Sequence, residues 1–436
     1  MVILCLLCCA AISNSQETTI KSLIKTNVLS YGAKGDNFHD DTLAFQTALK
    51  QNTAVMVPAG RYILTASLKL TDHQTLTLSD DTSLIFKCHK KGCFLLDVDS
   101  KVGVTIEGGT LDGDRANNPY GALMGVVIRG NSRHITVNHV VAMNFPSDQD
   151  IPINDGDGFY VGARTSSGEA PYDIKISGVT SICNGRNGLS VTAGRQVAIE
   201  RNTFGNCGLA GVDLEPNGSN TCENIVVADN TVFGCRLGLS VSKGARWIVA
   251  KGNSIIVPRL TKSYKGIELH KPAMNMTISG NTVTGGNTGI EATGFGSIIE
   301  GNNIRGSRNG VYIGADGAII EGNCMLDCWE NGLFIEGSDC VTADNSLVIT
   351  GDQQTSPANR VGEALIGLIH SGSSNATVRR AATVGNRPIV RKVAAGAFGR
   401  SWTLFDKKLS ANEGLNPIYG RAYGPQSAKN IRNSNH

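Results

Sequence analysis

Eight short segments that open on glycine and continue as a strand constrain this chain more than any single motif. They read GFYVG from Gly158, GLSVT from Gly188, GVDLE from Gly211, GLSVS from Gly238, GIELH from Gly266, GIEAT from Gly289, GVYIG from Gly310 and GLFIE from Gly332. The steps between them are 30, 23, 27, 28, 23, 21 and 22 residues. A second series (ERNTF, ADNTV, KGNSI, SGNTV, EGNNI, EGNCM, ADNSL) places Asn202, Asn230, Asn253, Asn281, Asn302, Asn323 and Asn345 at matching offsets. One such repeat cannot bury its own apolar side chains, whereas stacked repeats bury a continuous cylinder. The asparagines suit a ladder of stacked corners, because Asn tolerates a left-handed backbone and bonds locally. The pattern predicts an all-β chain, a single-stranded right-handed parallel β-helix.

In such strands alternate side chains point to opposite faces. GVDLEP, residues 211 to 216, therefore turns Val212 and Leu214 inward and sets Asp213 and Glu215 outside. Stacking gives one outward column of Tyr160, Ser190, Asp213, Ser240, Glu268, Glu291, Tyr312 and Phe334. The second holds Gly162, Thr192, Glu215, Ser242, His270, Thr293, Gly314 and Glu336. Neighbouring coils lie about 4.8 Å apart, and positions two apart on a strand about 6.7 Å. Asp213, Glu215, Glu268, Glu291 and His270 thus gather on one face, with Asp157 of NDGDGF just before the first strand.

Charge and composition bound what this face can serve. The 436 residues carry a net charge of +3 with 18% charged residues, which gives no nucleic-acid-binding surface. The opening MVILCLLCCAAISNSQ reads as a signal peptide over residues 1–15, too short for a membrane span. The remaining divisions are a β-helix over 16–350, C-terminal cap strands over 351–422 and a disordered tail over 423–436. Nine of the 12 cysteines lie beyond the signal. Cys88 and Cys93 are placed for a local disulfide in an oxidising compartment, and Cys183, Cys207, Cys235 and Cys328 recur at equivalent places as a buried thiol stack.

The segment from NVLSYGAKGDNFHDDTLAFQTALKQN to VMVPAGRYIL resembles the N-terminal part of the pectin-lyase-like superfamily, and GGTLDGD at 108–114 is similar to an early coil of its polygalacturonase-like members. The likeness runs over about residues 27 to 350. Asp40 or Asp41 is expected to cap a helix through TLAFQTALK, with Leu43, Phe45 and Leu49 apolar, closing the N-terminal end. The cluster of Asp36, His39, Asp40 and Asp41 is read as capping and turn chemistry rather than as a cation site. Asp157-Gly158 matches the Asp-Gly of the polygalacturonase Asn-x-Asp-Gly motif, but Asn187-Gly188 stands where the next Asp-Asp pair would be, and no Gly-His-Gly follows. DLEP at 213–216 is loosely similar to the Asp-Pro-His-Glu run of alginate-type epimerases.

The leading expectation is a secreted glycoside hydrolase acting on an acidic polysaccharide. Inverting hydrolysis wants two carboxyl groups about 6.5–9.5 Å apart, which fits Asp213 with Glu215 as the central pair, assisted by Glu268 or Asp157, with His270 beside them. Arg164, Arg195, Lys243, Arg246, Lys265 and Lys271 would meet acidic sugars, Glu291 lines the groove, and Tyr160 and Tyr312 would stack on sugar rings. In a uronate lyase or C5-epimerase, His270, Lys243 or Tyr160 would take the proton beside a carboxylate neutralised by Arg or by calcium. No cofactor or metal is required by the hydrolase reading. A non-catalytic glycan-binding adhesin is the third reading, as a monomer or a homotrimer.

Overall fold

A computed structural model describes residues 25–349 apart from 89, 119–120, 149–154, 166–168, 259–262, 329–330 and 338, together with the strands Ile369–His370, Thr377–Gly385 and Thr403–Phe405. The expected signal peptide and polar tail lie outside the described residues. Internal contacts divide the chain into one unit ending at Arg186 and another beginning at Asn187. Both are built almost wholly from parallel strands wound as a right-handed β-helix.

The first unit opens with the α-helix Thr42–Gln51, which buries Phe45, Ala48 and Leu49. Phe45 meets Tyr62 edge-on with ring centroids 5.2 Å apart. Leu43, expected on the apolar side, is 75% exposed, because it falls on the opposite side of the helix from Phe45 and Leu49. Asp41 occupies the N-cap position but makes no capping bond. Its carboxylate accepts instead from the backbone N–H groups of Lys34 and Gly35, while Asp40 accepts from Thr42. The helix's far end is tied down by Gln74, fully buried, whose amide donates to the carbonyls of Leu49 and Asn52 at 2.6 Å each. Two carbonyls at and just beyond the helix end, which the helix itself leaves open, thereby find a partner. Asp36 accepts from the backbone of Phe38 and His39, as turn chemistry predicts. Cys88 and Cys93 form the expected disulfide.

In the second unit each coil supplies one strand to the outward face carrying the acids and two to the rest of the wall. The face is the row Leu189–Val191, Ala210–Leu214, Leu237–Val241, Lys265–Leu269, Thr288–Ala292, Asn309–Ile313 and Asn331–Ile335. Its register aligns Ser190, Asp213, Ser240, Glu268, Glu291, Tyr312 and Phe334, one per coil, as the sequence columns predict. Between them Val212, Leu214, Ile267, Leu269 and Ile290 turn inward and are buried. The glycine before each strand answers a close approach: a Cβ on Gly238 would stand 2.4 Å from both the Gly266 carbonyl and Ile255 Cγ2.

The asparagine series forms one continuous ladder. Asn253 Oδ1 accepts the backbone N–H of Asn230 at 3.0 Å and its amide at 2.9 Å, and Asn253 donates in turn to Asn281 Oδ1 and the Val227 carbonyl. The same pattern passes through Asn302 and Asn323 to Asn345. Among the described residues seven cysteines are free thiols: Cys207, Cys222, Cys235, Cys328 and Cys340 are buried, whereas Cys183 and Cys324 are half-buried. Within the stretch expected as the C-terminal cap, the strands Thr377–Gly385 and Thr403–Phe405 pair in parallel with the wall. Of the described residues, no helix is long and apolar enough to cross a membrane.

Candidate functional site

The outward face of the second unit brings most of the expected residues together at distinct depths. Asp213 is 5% exposed, at the floor of the face. It accepts a hydrogen bond from Asn187 Nδ2 at 3.3 Å, and the same amide donates to Ser190 Oγ at 2.9 Å. Asn187 is itself oriented by accepting from the Ala210 backbone N–H at 2.9 Å. Glu215 stands one position past the strand end, where its N–H continues the ladder to the Val191 carbonyl. Its carboxylate is paired with Lys243 Nζ at 2.8 Å in a more open setting. The two acids of GVDLEP therefore share a face but not an environment.

Two coils on, about 9.6 Å away along the stack, a second cluster forms. Lys265 Nζ pairs with Glu268 and lies 2.7 Å from Glu291 Oε1, while His270 Nε2 meets the same Glu268 oxygen, Oε1. Burial works to raise the Glu268 carboxyl, but the hydrogen bonds from His270 and Lys265 outweigh it and hold the group below the usual range. The Glu268 hydrogen bond foremost pushes His270 above its ordinary value, against burial. Lys265 is raised as well: burial opposes its charge, but its bonds to Glu268 and Glu291 prevail. Glu268, His270 and Glu291 bring three ligand atoms within 4.8 Å of one another, close enough for a metal ion. The Lys265 ammonium already lies against both carboxylates, so a divalent ion would have to displace a charge of like sign.

The remaining expected residues fall in different places. Tyr312 donates to Glu336 at 2.5 Å and stacks on Phe334 with centroids 5.5 Å apart, so one of its ring faces is covered and only the other could meet a sugar. Burial, then the Glu336 bond, pushes its hydroxyl up. Arg195 and Arg246 do not line the face, because both sit on strands of the adjoining wall, in register with Glu223, with which Arg246 forms an ion pair. Lys271 lies over the Phe295 ring at 5.2 Å. In the first unit, Asp157 is fully buried and pairs with Arg186 at 3.3 Å, Tyr160 is half-buried on the strand Phe159–Gly162, and Arg164 pairs with Asp99 at 2.6 Å. No functional role for Asn187, Glu223, Trp247 or Phe295 is readable from the sequence motifs. Asn187 is visible there only as the residue standing where the Asp-Asp pair would be, and Trp247 only through its place in the repeat.

Comparison with known proteins adds to the geometry. Residues 25–81 match the family model described as rhamnogalacturonase A/epimerase, pectate lyase-like. Residues 124–297 and 240–404 match the model described as periplasmic copper-binding protein (NosD). The chain belongs to the pectate-lyase-like parallel β-helix superfamily. Several solved structures share its fold. One is the mannuronan C-5 epimerase AlgE6 A-module of Azotobacter vinelandii, at 15% identity and a TM-score of 0.53, covering 87% of this chain and 98% of that one. Another is a hyperthermoactive exopolygalacturonase from Thermotoga maritima, at 14% identity and a TM-score of 0.53, covering 75% and 90%. A third is gene product 12 of bacteriophage phi29, at 15% identity and a TM-score of 0.57, covering 86% of this chain and 58% of that one. At such identities the likeness to these three is one of fold. No curated protein matches the sequence.

Proposed function

We propose that this superfamily member is an exported enzyme that hydrolyses an acidic polysaccharide laid along the outward face of the second unit. One observation carries the reading: Asp213 and Glu215 stand on one face of one strand, the first nearly buried and the second paired with Lys243 at 2.8 Å. Two carboxyl groups in unlike surroundings can divide the roles of acid and base. Asp213, at the water-poor floor, protonates the leaving glycosidic oxygen. Glu215, ion-paired as a carboxylate, takes a proton from the water attacking the sugar's opposite side. Same-face positions two apart on a strand are spaced about 6.7 Å along the backbone, and inversion needs the two carboxyl groups about 6.5–9.5 Å apart so that the water fits between them. Asn187 fixes the orientation of Asp213 and makes no contact with substrate in this scheme.

A second reading rests on the neighbouring cluster. Lys265 and His270 around Glu268 and Glu291 supply a cation for a uronate carboxylate and a base for the proton beside it, as β-elimination or C5-epimerisation needs. A time course on polygalacturonate, alginate and neutral glucans, following reducing ends and unsaturated-uronate absorbance together, separates the two. Reducing ends alone, lost in Asp213→Asn and Glu215→Gln, support hydrolysis. Both signals together, lost in His270→Gln, favour elimination. Binding without either signal, and without conversion of one uronate into its epimer, would leave a glycan-binding protein.

A further inference from the structure

At the edge of the same face, the wall carries a row of residues with left-handed backbone, one per coil: Gln196, Asn224, Trp247, Asn275 and Gly296, with φ of 54°, 54°, 55°, 56° and 63°. Their alignment follows from the strand register on either side. Asn224, Asn275 and Gly296 are types that such a backbone tolerates, and Gln196 is polar and unbranched. Trp247 departs furthest, a bulky aromatic at a position that penalises it, and it is 47% exposed. Nearly half of its surface faces solvent, so the ring is open to a ligand. A disfavoured backbone held at one residue of an otherwise regular row is the kind of local cost that functional positions retain.

The neighbours of Trp247 complete a surface. Arg246 lies over its ring at 4.8 Å. On the next two coils the ladder runs from Arg246 to Met274 and on to Phe295, which are 37% and 43% exposed. Lys271 lies over Phe295 at 5.2 Å. Two aromatic rings, each with a cation over it, therefore stand two coils apart, about 9.6 Å along the stack. They lie just around the corner from His270, whose strand leads through Lys271 into Met274.

We infer that Trp247, Met274 and Phe295, with Arg246 and Lys271, form an accessory binding shelf for a uronate-containing polysaccharide, running beside the catalytic face. Ring faces and the thioether meet the apolar faces of the sugars, and Lys271 meets their carboxylates, while Arg246 is held beside the Trp247 ring by its ion pair with Glu223. The inference rests on the acidic-glycan part of the proposed function and not on the reaction.

The test is direct binding of oligogalacturonate and oligomannuronate, with a neutral cello-oligosaccharide as control, by calorimetry and tryptophan fluorescence. Trp247→Asn places in the row a residue already present at Asn224 and Asn275, so the variant is expected to melt no lower than the parent. It should bind acidic oligosaccharides about tenfold more weakly, as the loss of one stacked aromatic contact implies, and lose their effect on fluorescence. Phe295→Ala and Lys271→Gln should each weaken binding in the same direction, with the neutral sugar unaffected. Unchanged affinity in Trp247→Asn, or a parent that binds no acidic oligosaccharide, overturns the shelf. Turnover that vanishes in Asp213→Asn while Trp247→Asn binds normally would reject the shelf and keep the enzyme. Shelf binding in a protein without turnover would do the reverse.

Discussion

Lys265 Nζ lies 2.7 Å from Glu291 Oε1 on the next coil and pairs as well with Glu268 on its own strand. One ammonium thus reconciles two glutamates that the register stacks directly, an arrangement that is otherwise repulsive in a sheet.

Lys265→Met should leave Glu291 without its cation and Glu268 with His270 alone, and cost about 2 kcal/mol, below the roughly 3–5 kcal/mol of a fully buried pair because the cluster is only partly sheltered. Adding Glu268→Gln and Glu291→Gln should recover most of the loss. Urea denaturation of the single and triple variants checks this. A single variant as stable as the parent would show that the ammonium does not hold the cluster.

The pH dependence follows from the directions at Glu268 and His270. Glu268 is lowered in the folded state, so its contribution is present above the ordinary glutamate value of about 4.3 and lost as pH falls through the lowered one. His270 is raised, so its contribution is complete below about 6.5 and lost as pH climbs through the raised value. The pair therefore stabilises most between those limits. Melting temperature against pH should decline on the alkaline side in the parent, and His270→Gln should flatten that decline.

Asp213→Asn and Glu215→Gln should each lower turnover about a hundredfold to ten-thousandfold, the usual worth of a positioned acid or base, with oligosaccharide affinity within about threefold of the parent by the same account. Lys243→Met should leave the fold intact and lower turnover about tenfold, because the carboxylate of Glu215 loses the partner that holds it in place. Steady-state rates on the three variants decide both. Turnover unchanged in Glu215→Gln would remove Glu215 from the base role.

Asn253→Ala should cost about 3 kcal/mol or more, since the Asn230 groups lose their acceptor and the Val227 carbonyl its donor in a buried setting. Chemical denaturation reads this out, and a loss below about 1 kcal/mol would mean that the ladder is ornamental.

Thiol labelling gives an independent check on burial. Among the seven free cysteines, Cys183 and Cys324 should react promptly in the native protein and the five buried ones only after unfolding. Prompt reaction of Cys207 or Cys235 would contradict the packed interior.

The repeat made the strand register legible, because period-two alternation and a fixed coil length determine which residues stack. Asp213, Glu268, Glu291 and Tyr312 fell into one column on that basis alone. Depth was not legible: nothing in GVDLEP distinguishes a nearly buried Asp213 from a Glu215 within reach of Lys243. Arg246 was assigned to the groove by proximity in the chain, but the corner after Val241 carries it onto the adjoining wall against Glu223. Leu43 was counted with the buried face of its helix because the pattern allowed it, whereas packing chose Phe45 and Leu49. Trp247 could have been found by aligning the αL row as the asparagines were aligned, since four of its five members are polar or glycine.

The asparagine ladder and the acid-bearing face lie on separate sides of each coil, and each coil joins its neighbours by the same bonds. Length is therefore a free variable: a whole coil gained or lost, cut at equivalent asparagines, would restore every bond of the ladder while shifting the face by one step of about 4.8 Å. Such a molecule works as a ruler. Under the proposed function, the number of coils after Asp213 would determine how many sugars a chain can lay down beyond the point of attack, so that reach could be reset without touching the acid pair.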